Sequence, residues 1–221
     1  ESGEAFADAL GKFAADLEKA RRLEFEHRWD QVLRPEHLLD RALRVDSRLW
    51  ERRRRHDDFL ALPLGTGCLP WEPALADRPC PEGAQILAQY RKLHGVPVMV
   101  QPGPGGVVGV AGDRAPTLGA VRHLVMQAAI HHGPADLAIS IFTESAGDWD
   151  WAKWLPHVLV DGSGRRRIAS CPDEIESVLA QLPQGEQQHP LGHLLIVDLP
   201  DLAGGPRAQI RDTLRDGELR G

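Results

Sequence analysis

With 221 residues, 42% of them hydrophobic, the chain is long enough for one sizeable core and ordinary in composition for a globular protein. A net charge of −6 and a pI of about 5.9 exclude the basic footprint of a nucleic-acid binder. No run is long and apolar enough to span a bilayer, no signal-peptide pattern opens the chain, and three cysteines without CxxC spacing (Cys68, Cys80, Cys171) suggest a reducing compartment rather than a disulfide framework.

The chain starts at Glu1 rather than at methionine, so it is expected to be an excised piece of a longer protein. Residues 4–33 read as one long helix: Phe6, Leu10, Phe13, Leu17 and Ala20 step by four and three and make a narrow apolar stripe between charged residues. Such a stripe packs along one seam, as in a stalk. Pro35 suits the first turn of a second helix whose apolar face is Leu38, Leu39, Ala42 and Leu43. Four arginines, Arg52 to Arg55, then precede Asp57, Asp58 and an apolar strand from Phe59 to Leu64, with a turn at Gly65 and Gly67. A basic run beside two acids reads as a solvated or ion-paired face, with a nucleic-acid or lipid contact as the sharper alternative.

Prolines make residues 70–81 an irregular connection. A helix is expected over 82–94, with Ile86, Leu87, Tyr90 and Leu93 on one face, followed by a strand over 96–100. A PGPGG turn is expected to pair that strand with another starting at Gly106. Residues 105–132, GGVVGVAGDRAPTLGAVRHLVMQAAIHH, read as strand, glycine turn and helix. Val107, Val108 and Val110 suit a buried parallel strand, Gly109 and Gly112 free the turn, and Leu118, Val121, Val125 and Ala128 carry helical spacing.

A strand that feeds a glycine turn and a helix is where α/β folds hold phosphates. A phosphate loop needs GxxxxGK followed by Ser or Thr. Started at Gly109, the pattern meets Arg114, Ala115 and Pro116 in its last three places, and no lysine occurs between Lys92 and Lys153. Any degenerate nucleotide site would comprise Gly109, Gly112, Asp113 and Arg114. Pro116 removes one N–H from the cradle.

Leu137 to Phe142 is a near-continuous apolar strand of the parallel, doubly covered kind. Glu144, Asp148 and Asp150 lie just past its end, where open α/β sheets bind ligands. The plainer reading gives Asp148 the N-cap of a short helix from Trp149 to Trp154. Trp149, Trp151 and Trp154 either fix that segment to the sheet or anchor a neighbour. A short strand over 166–170 leads to a helix, started by Ser170 or Asp173, with Ile175, Val178, Leu179 and Leu182 inward. After a polar loop over 183–190, Leu194 to Asp198 reads as a Walker B strand. Asp198 is its acid, with Leu199 where a second acid is usual. Gly204 and Gly205 open a last charged helix. His131 and His132 close the central helix, where the dipole favours cations, and no spacing marks a metal site or a catalytic residue.

Two stretches resemble one family. Trp50, Glu51, Arg52 and Arg53, followed by Asp58, Phe59, Leu60 and Leu64-Gly65-Thr66-Gly67, and the later run Trp149-Asp150-Trp151 with Trp154-Leu155-Pro156-His157, are similar to EccC/EssC proteins. These are the membrane-anchored FtsK/SpoIIIE-type ATPases of type VII secretion systems. The resemblance is collinear over roughly residues 20–200 and includes Val96-Pro97-Val98, Gly112-Asp113-Arg114 and Gly133-Pro134-Ala135-Asp136-Leu137.

It implies an α/β, RecA/P-loop-like, mostly parallel sheet flanked by helices, preceded by a helical stalk. Residues 1–50 would be the juxtamembrane stalk and residues 51–221 a degenerate ATPase-like domain. The expected role is a coupling module that does not itself hydrolyse ATP, with ATP and Mg²⁺ serving the parent protein. Implied partners are other type VII secretion membrane subunits, later ATPase modules of the same chain, secreted WXG100-type proteins through the parent, and further copies in a homo-oligomer. The location implied is the cytoplasmic side of the cell membrane. The alternatives are a module of a DNA translocase and a docking domain whose contacts are Trp50, Arg52, Arg53, Asp58, Phe59 and the three tryptophans.

Overall fold

In the computed structural model the described residues are 2–45, 47–103, 105–160, 164–182 and 191–218; the polar loop expected over 183–190, with His189, lies outside them. The chain divides into two compact units, Glu1–His37 with Pro63–Val100 and Leu38–Leu62 with Gln101–Gly221. The division expected at residue 50 follows chain order, whereas these units interleave along the sequence.

The first unit is built on helix α1 (Ser2–Asp30), which packs against α3 (Pro81–Gln89) and β2 (Lys92–Val100). Its stripe is selective: Leu17 is buried and Ala20 and Phe25 reach a core of Trp71, Leu93 and Val96, while Phe6 stays exposed. Trp29 Nε1 donates to the Gly95 carbonyl at 3.1 Å, and the Arg21 guanidinium lies 5.4 Å from the Tyr90 ring centre. Strand β1 (Leu62–Pro70) pairs with β2. The helix expected to run to residue 94 stops at Gln89, because Lys92–Val100 is drawn into pairing with β1 and non-local pairing overrides local helical spacing. Cys80 caps α3, accepting from Gly83 N at 3.4 Å.

The second unit holds a three-stranded parallel sheet flanked by helices, in the order β4 (Ile168–Ala169), β3 (Leu137–Thr143), β5 (Gly192–Asp198). β3 is buried along its whole length, as its near-continuous apolar run, interrupted by the buried Ser140, leads one to expect, and it runs in register with β5 from Leu137 opposite Gly192 to Thr143 opposite Asp198. On one face Phe142, Ala169, Ile175, Val178, Leu179 and Ile210 form a core shared by α6 (Pro172–Leu179) and α7 (Gly205–Glu218). Before β3 comes α4 (Arg114–His131), with Val125 and Ala128 fully buried. Helix α2 (Pro35–Arg44) completes the helices at the start of the chain. Residues 146–158 form α5 (Ala146–Trp149) and two 3₁₀ turns, Asp150–Trp154 and Pro156–Val158.

Several expectations are corrected. Residues 107–110 form no strand, and Val107 and Val108 are exposed. Valines favour extended backbone, but a strand needs a neighbour for its N–H and C=O groups; β2 is paired with β1, and the described sheet ends at β5. The hairpin expected through the PGPGG turn is therefore absent among the described residues. The strand expected from Phe59 begins only at Leu62, since Leu60 takes a positive φ of 56° and turns the chain. The strand over 166–170 shortens to Ile168–Ala169.

Candidate functional site

The C-terminal ends of β3 and β5 meet the N-terminus of α4, and the side chains there form one charged cluster. Gly112, at φ 150°, turns the chain into α4; an added Cβ there would lie 3.3 Å from Thr117 Oγ1. Asp113 occupies the N-cap position without a side-chain cap bond, and Arg114 is the first helical residue. From there Arg114 Nη1 donates to Asp198 Oδ1 at 2.6 Å, while Nη2 donates to Asp198 Oδ2 at 3.0 Å and to Asp148 Oδ2 at 2.8 Å. Asp198 Oδ2 also accepts from Trp149 Nε1 at 2.9 Å and from Thr143 Oγ1 at 3.4 Å. The Arg114 guanidinium holds the Asp198 carboxyl below the usual aspartate range, helped by Trp149 and Thr143 against the opposing effect of burial. The two carboxylates in turn hold Arg114 firmly protonated.

A second arrangement lies at the other end of α4. Trp50 N and Arg52 N donate to the carbonyls of Ile130 and His131, and Trp50 Nε1 donates to Ala129 O at 3.0 Å. Arg52, only 7% exposed, donates to Ala61 O at 2.6 Å and pairs with Asp58 at 2.9 Å; burial lowers its pKa despite that partner. Arg53 pairs with Asp136 at 2.7 Å. Phe59 stands edge-on to the His132 ring at 4.8 Å, and an added Cβ at Gly192 would lie 2.8 Å from its ring. His132 donates through Nδ1 to Ala128 O at 2.8 Å and accepts at Nε2 from Leu60 N at 3.1 Å, which fixes a neutral tautomer.

The chain is 32% identical to the ESX-3 secretion system protein EccC3 of Mycobacterium tuberculosis, over 70% of this chain and 14% of that protein. It is 30% identical to the ESX secretion system protein EccC of Thermomonospora curvata, again over 70% of this chain and 14% of the relative. It is 27% identical to the ESX-1 secretion system protein EccCa1 of Mycobacterium tuberculosis, over 77% of this chain and 26% of the relative. The chain belongs to the EccC family. It corresponds to about 14% of the length of the first EccC relatives it matches. No family model matches it.

Against this EccC background the expected site residues fall into three places. Arg114 and Asp198 are in direct contact, whereas Gly109 precedes the turn in exposed backbone and Asp113 makes no cap. Trp50, Arg52, Arg53, Asp58 and Phe59 build the turn on the far end of α4 instead of an open basic face; within the run, Arg54 and Arg55 are exposed. The three tryptophans divide their roles. Trp149 is fully buried against Asp198, Trp151 stacks on it with ring centres 6.2 Å apart, and Trp154 is 77% exposed.

Asp148 is not an N-cap: the short helix starts two residues earlier, and its carboxylate is drawn to Arg114 and Arg122. Arg122, which also donates to the Asp148 carbonyl, and Thr143 are members that sequence reading did not select. Arg122 lies two helical turns beyond Arg114, a spacing from which its part was available. The histidine pair is likewise corrected. Burial and the charge of Arg52 push His131 down to about 3, and burial pushes His132 down to about 4, so desolvation outweighs the helix dipole and both are neutral. No group of three metal-ligating side chains occurs among the described residues, and no described helix is long and apolar enough to cross a membrane.

Proposed function

We propose that this chain is an ATPase-like coupling module of a type VII secretion motor protein, which passes on movement generated elsewhere in its parent rather than hydrolysing ATP itself. Its EccC kinship supports the secretion setting. The observation that carries the non-hydrolysing role is the contact of Arg114 with both oxygens of Asp198. A working site directs its cation at the phosphates and leaves the aspartate for Mg²⁺. Here the cation at the helix start neutralises the aspartate, Pro116 withholds an N–H, and Leu199 follows where a second acid is usual. That arrangement supports a module that does not itself hydrolyse Mg-ATP. The module would stand on the cytoplasmic side of the membrane, beside other secretion subunits, other modules of its parent and further copies of itself.

Isothermal titration with Mg-ATP tests the reading: no saturable heat is expected, and micromolar binding with turnover rejects the non-hydrolysing role. A docking role is favoured by one observation, Trp154, which projects 77% exposed from an otherwise anchored segment. Trp154→Ala is expected to leave the fold intact and weaken assembly with the other membrane subunits, measured by co-purification. Unchanged recovery of those subunits removes this surface.

A further inference from the structure

We propose that Trp154, Leu159 and Arg166 form a docking surface for an acidic protein segment, which sets a carboxylate against the Arg166 guanidinium and an apolar side chain against the Trp154 indole. That surface presupposes the docking role of Trp154 and adds the chemistry of what docks.

Trp154 is the most exposed of the large hydrophobic side chains among the described residues. The backbone beneath it is fixed. Trp149, Ala152 and Val158 are fully buried, and the buried His157 donates through Nε2 to the His132 carbonyl at 2.7 Å. The two 3₁₀ turns on either side of Leu155 therefore hold the indole out on a rigid support. A large ring presented in this way loses little conformational freedom on binding, as an interface anchor requires.

After the turns the chain folds back beside the indole. Leu159 and Arg166 pair in an antiparallel bridge, and Val160 N and Arg167 N donate to the carbonyls of Arg165 and Val158. Residues opposite each other in such a bridge put their side chains on one face, so Leu159, 41% exposed, shares a face with Arg166. Arg166 Nε donates to the Lys153 carbonyl at 2.9 Å, which ties the guanidinium to the residue preceding Trp154.

The charges around the indole select the partner. Lys153 Nζ lies 5.6 Å from the Trp154 ring centre, but it is pinned to both oxygens of Asp150 at 2.7 and 2.8 Å, and the two charges cancel. Arg166 is exposed, and no described carboxylate pairs with it. Its planar fork takes a carboxylate through two parallel bonds. A bilayer fits less well: it presents a plane of phosphates to the whole patch, the exposed Asp150 included, and one indole with one leucine give it little to bury. A short acidic segment meets Arg166 and the indole alone. Tryptophan and arginine are also the side chains that dominate binding energy at protein interfaces.

Titration of the 221-residue protein with a short blocked peptide of alternating glutamate and leucine, followed at the indole N–H resonance of Trp154, tests the chemistry. Loss of that resonance in Trp154→Phe assigns it. A saturable shift is expected with a Kd below about 1 mM, and binding at least about tenfold weaker for the glutamine counterpart of the peptide and for Arg166→Gln. No shift, or equal affinity for the two peptides, overturns the proposal. Broadening of the resonance by vesicles of phosphatidylglycerol and phosphatidylcholine, without a shift by the peptide, overturns it in favour of lipid. In co-purification from the parent protein, Trp154→Ala and Arg166→Gln are each expected to lower recovery of the membrane subunits at least about threefold. Loss with Trp154→Ala alone keeps the docking role and overturns the acidic partner; loss with neither overturns both.

Discussion

The Asp198 carboxylate keeps its charge because a guanidinium lies against both oxygens and an indole N–H against one. Its folded pKa is depressed, so the stability it contributes is present above the pH at which a free aspartate titrates and is lost as pH falls through the lower folded value. Arg114→Met is expected to move the Asp198 pKa upward, read by carboxyl-carbon NMR titration; an unmoved value removes Arg114 as the cause. Trp149→Phe retains most of the buried ring and deletes the donor to Asp198 Oδ2. Losing a hydrogen bond to a charged acceptor costs roughly 2 kcal/mol, expected in urea unfolding. Sequence reading selected Arg114 and Asp198 separately, from a failed phosphate loop and from an apolar strand ending in acid. Their contact was not legible, because 84 residues separate them and neither motif reports the other.

At the scale of elements, local pattern was reliable where one element satisfies its own backbone. Helices α1, α4 and α6 stand close to where their apolar spacing puts them, and β3 follows its near-continuous apolar run. Strands that depend on a neighbour were misread at 92–94 and 107–110, since propensity does not say whether a partner is present. The Trp50 to Leu60 turn is the element that holds the start of the second unit to the end of α4, and Gly192 is where its Phe59 meets the sheet. Gly192→Ala brings a methyl to 2.8 Å from the Phe59 ring and 3.3 Å from the Asp136 carbonyl. It is expected to destabilise by roughly 1–3 kcal/mol in chemical denaturation. An unaltered midpoint shows that Phe59 has another seat.

For the molecule as a whole, acid sensitivity is concentrated in one unit. His131, His132 and His157 are all buried in the second unit, with pKa values pushed to about 3, to about 4 and downward respectively. The histidines of the first unit, His27, His37 and His94, are exposed. A folded pKa below the free value of ~6.5 means that the unfolded chain binds more protons between them, so stability falls as pH drops below ~6.5. At pH ~5.5 His131 and His132 each cost roughly 1.4 kcal/mol, ~3 kcal/mol together, and His157 acts in the same direction. The second unit is expected to unfold first on acidification, with near-UV signal lost while the helical signal of α1 persists. Simultaneous loss of both signals contradicts that assignment.

By itself the sequence determined the α/β class, the long N-terminal helix, the parallel apolar strand and the family resemblance. Each rests on short-range periodicity or on consecutive residues. Only the tertiary structure decided that Arg114 neutralises Asp198, that Arg52 alone of the arginine run folds inward beside buried histidines, and that residues 63–100 join the first unit. Those outcomes depend on desolvation and on pairing between residues distant in the chain, which no local pattern encodes.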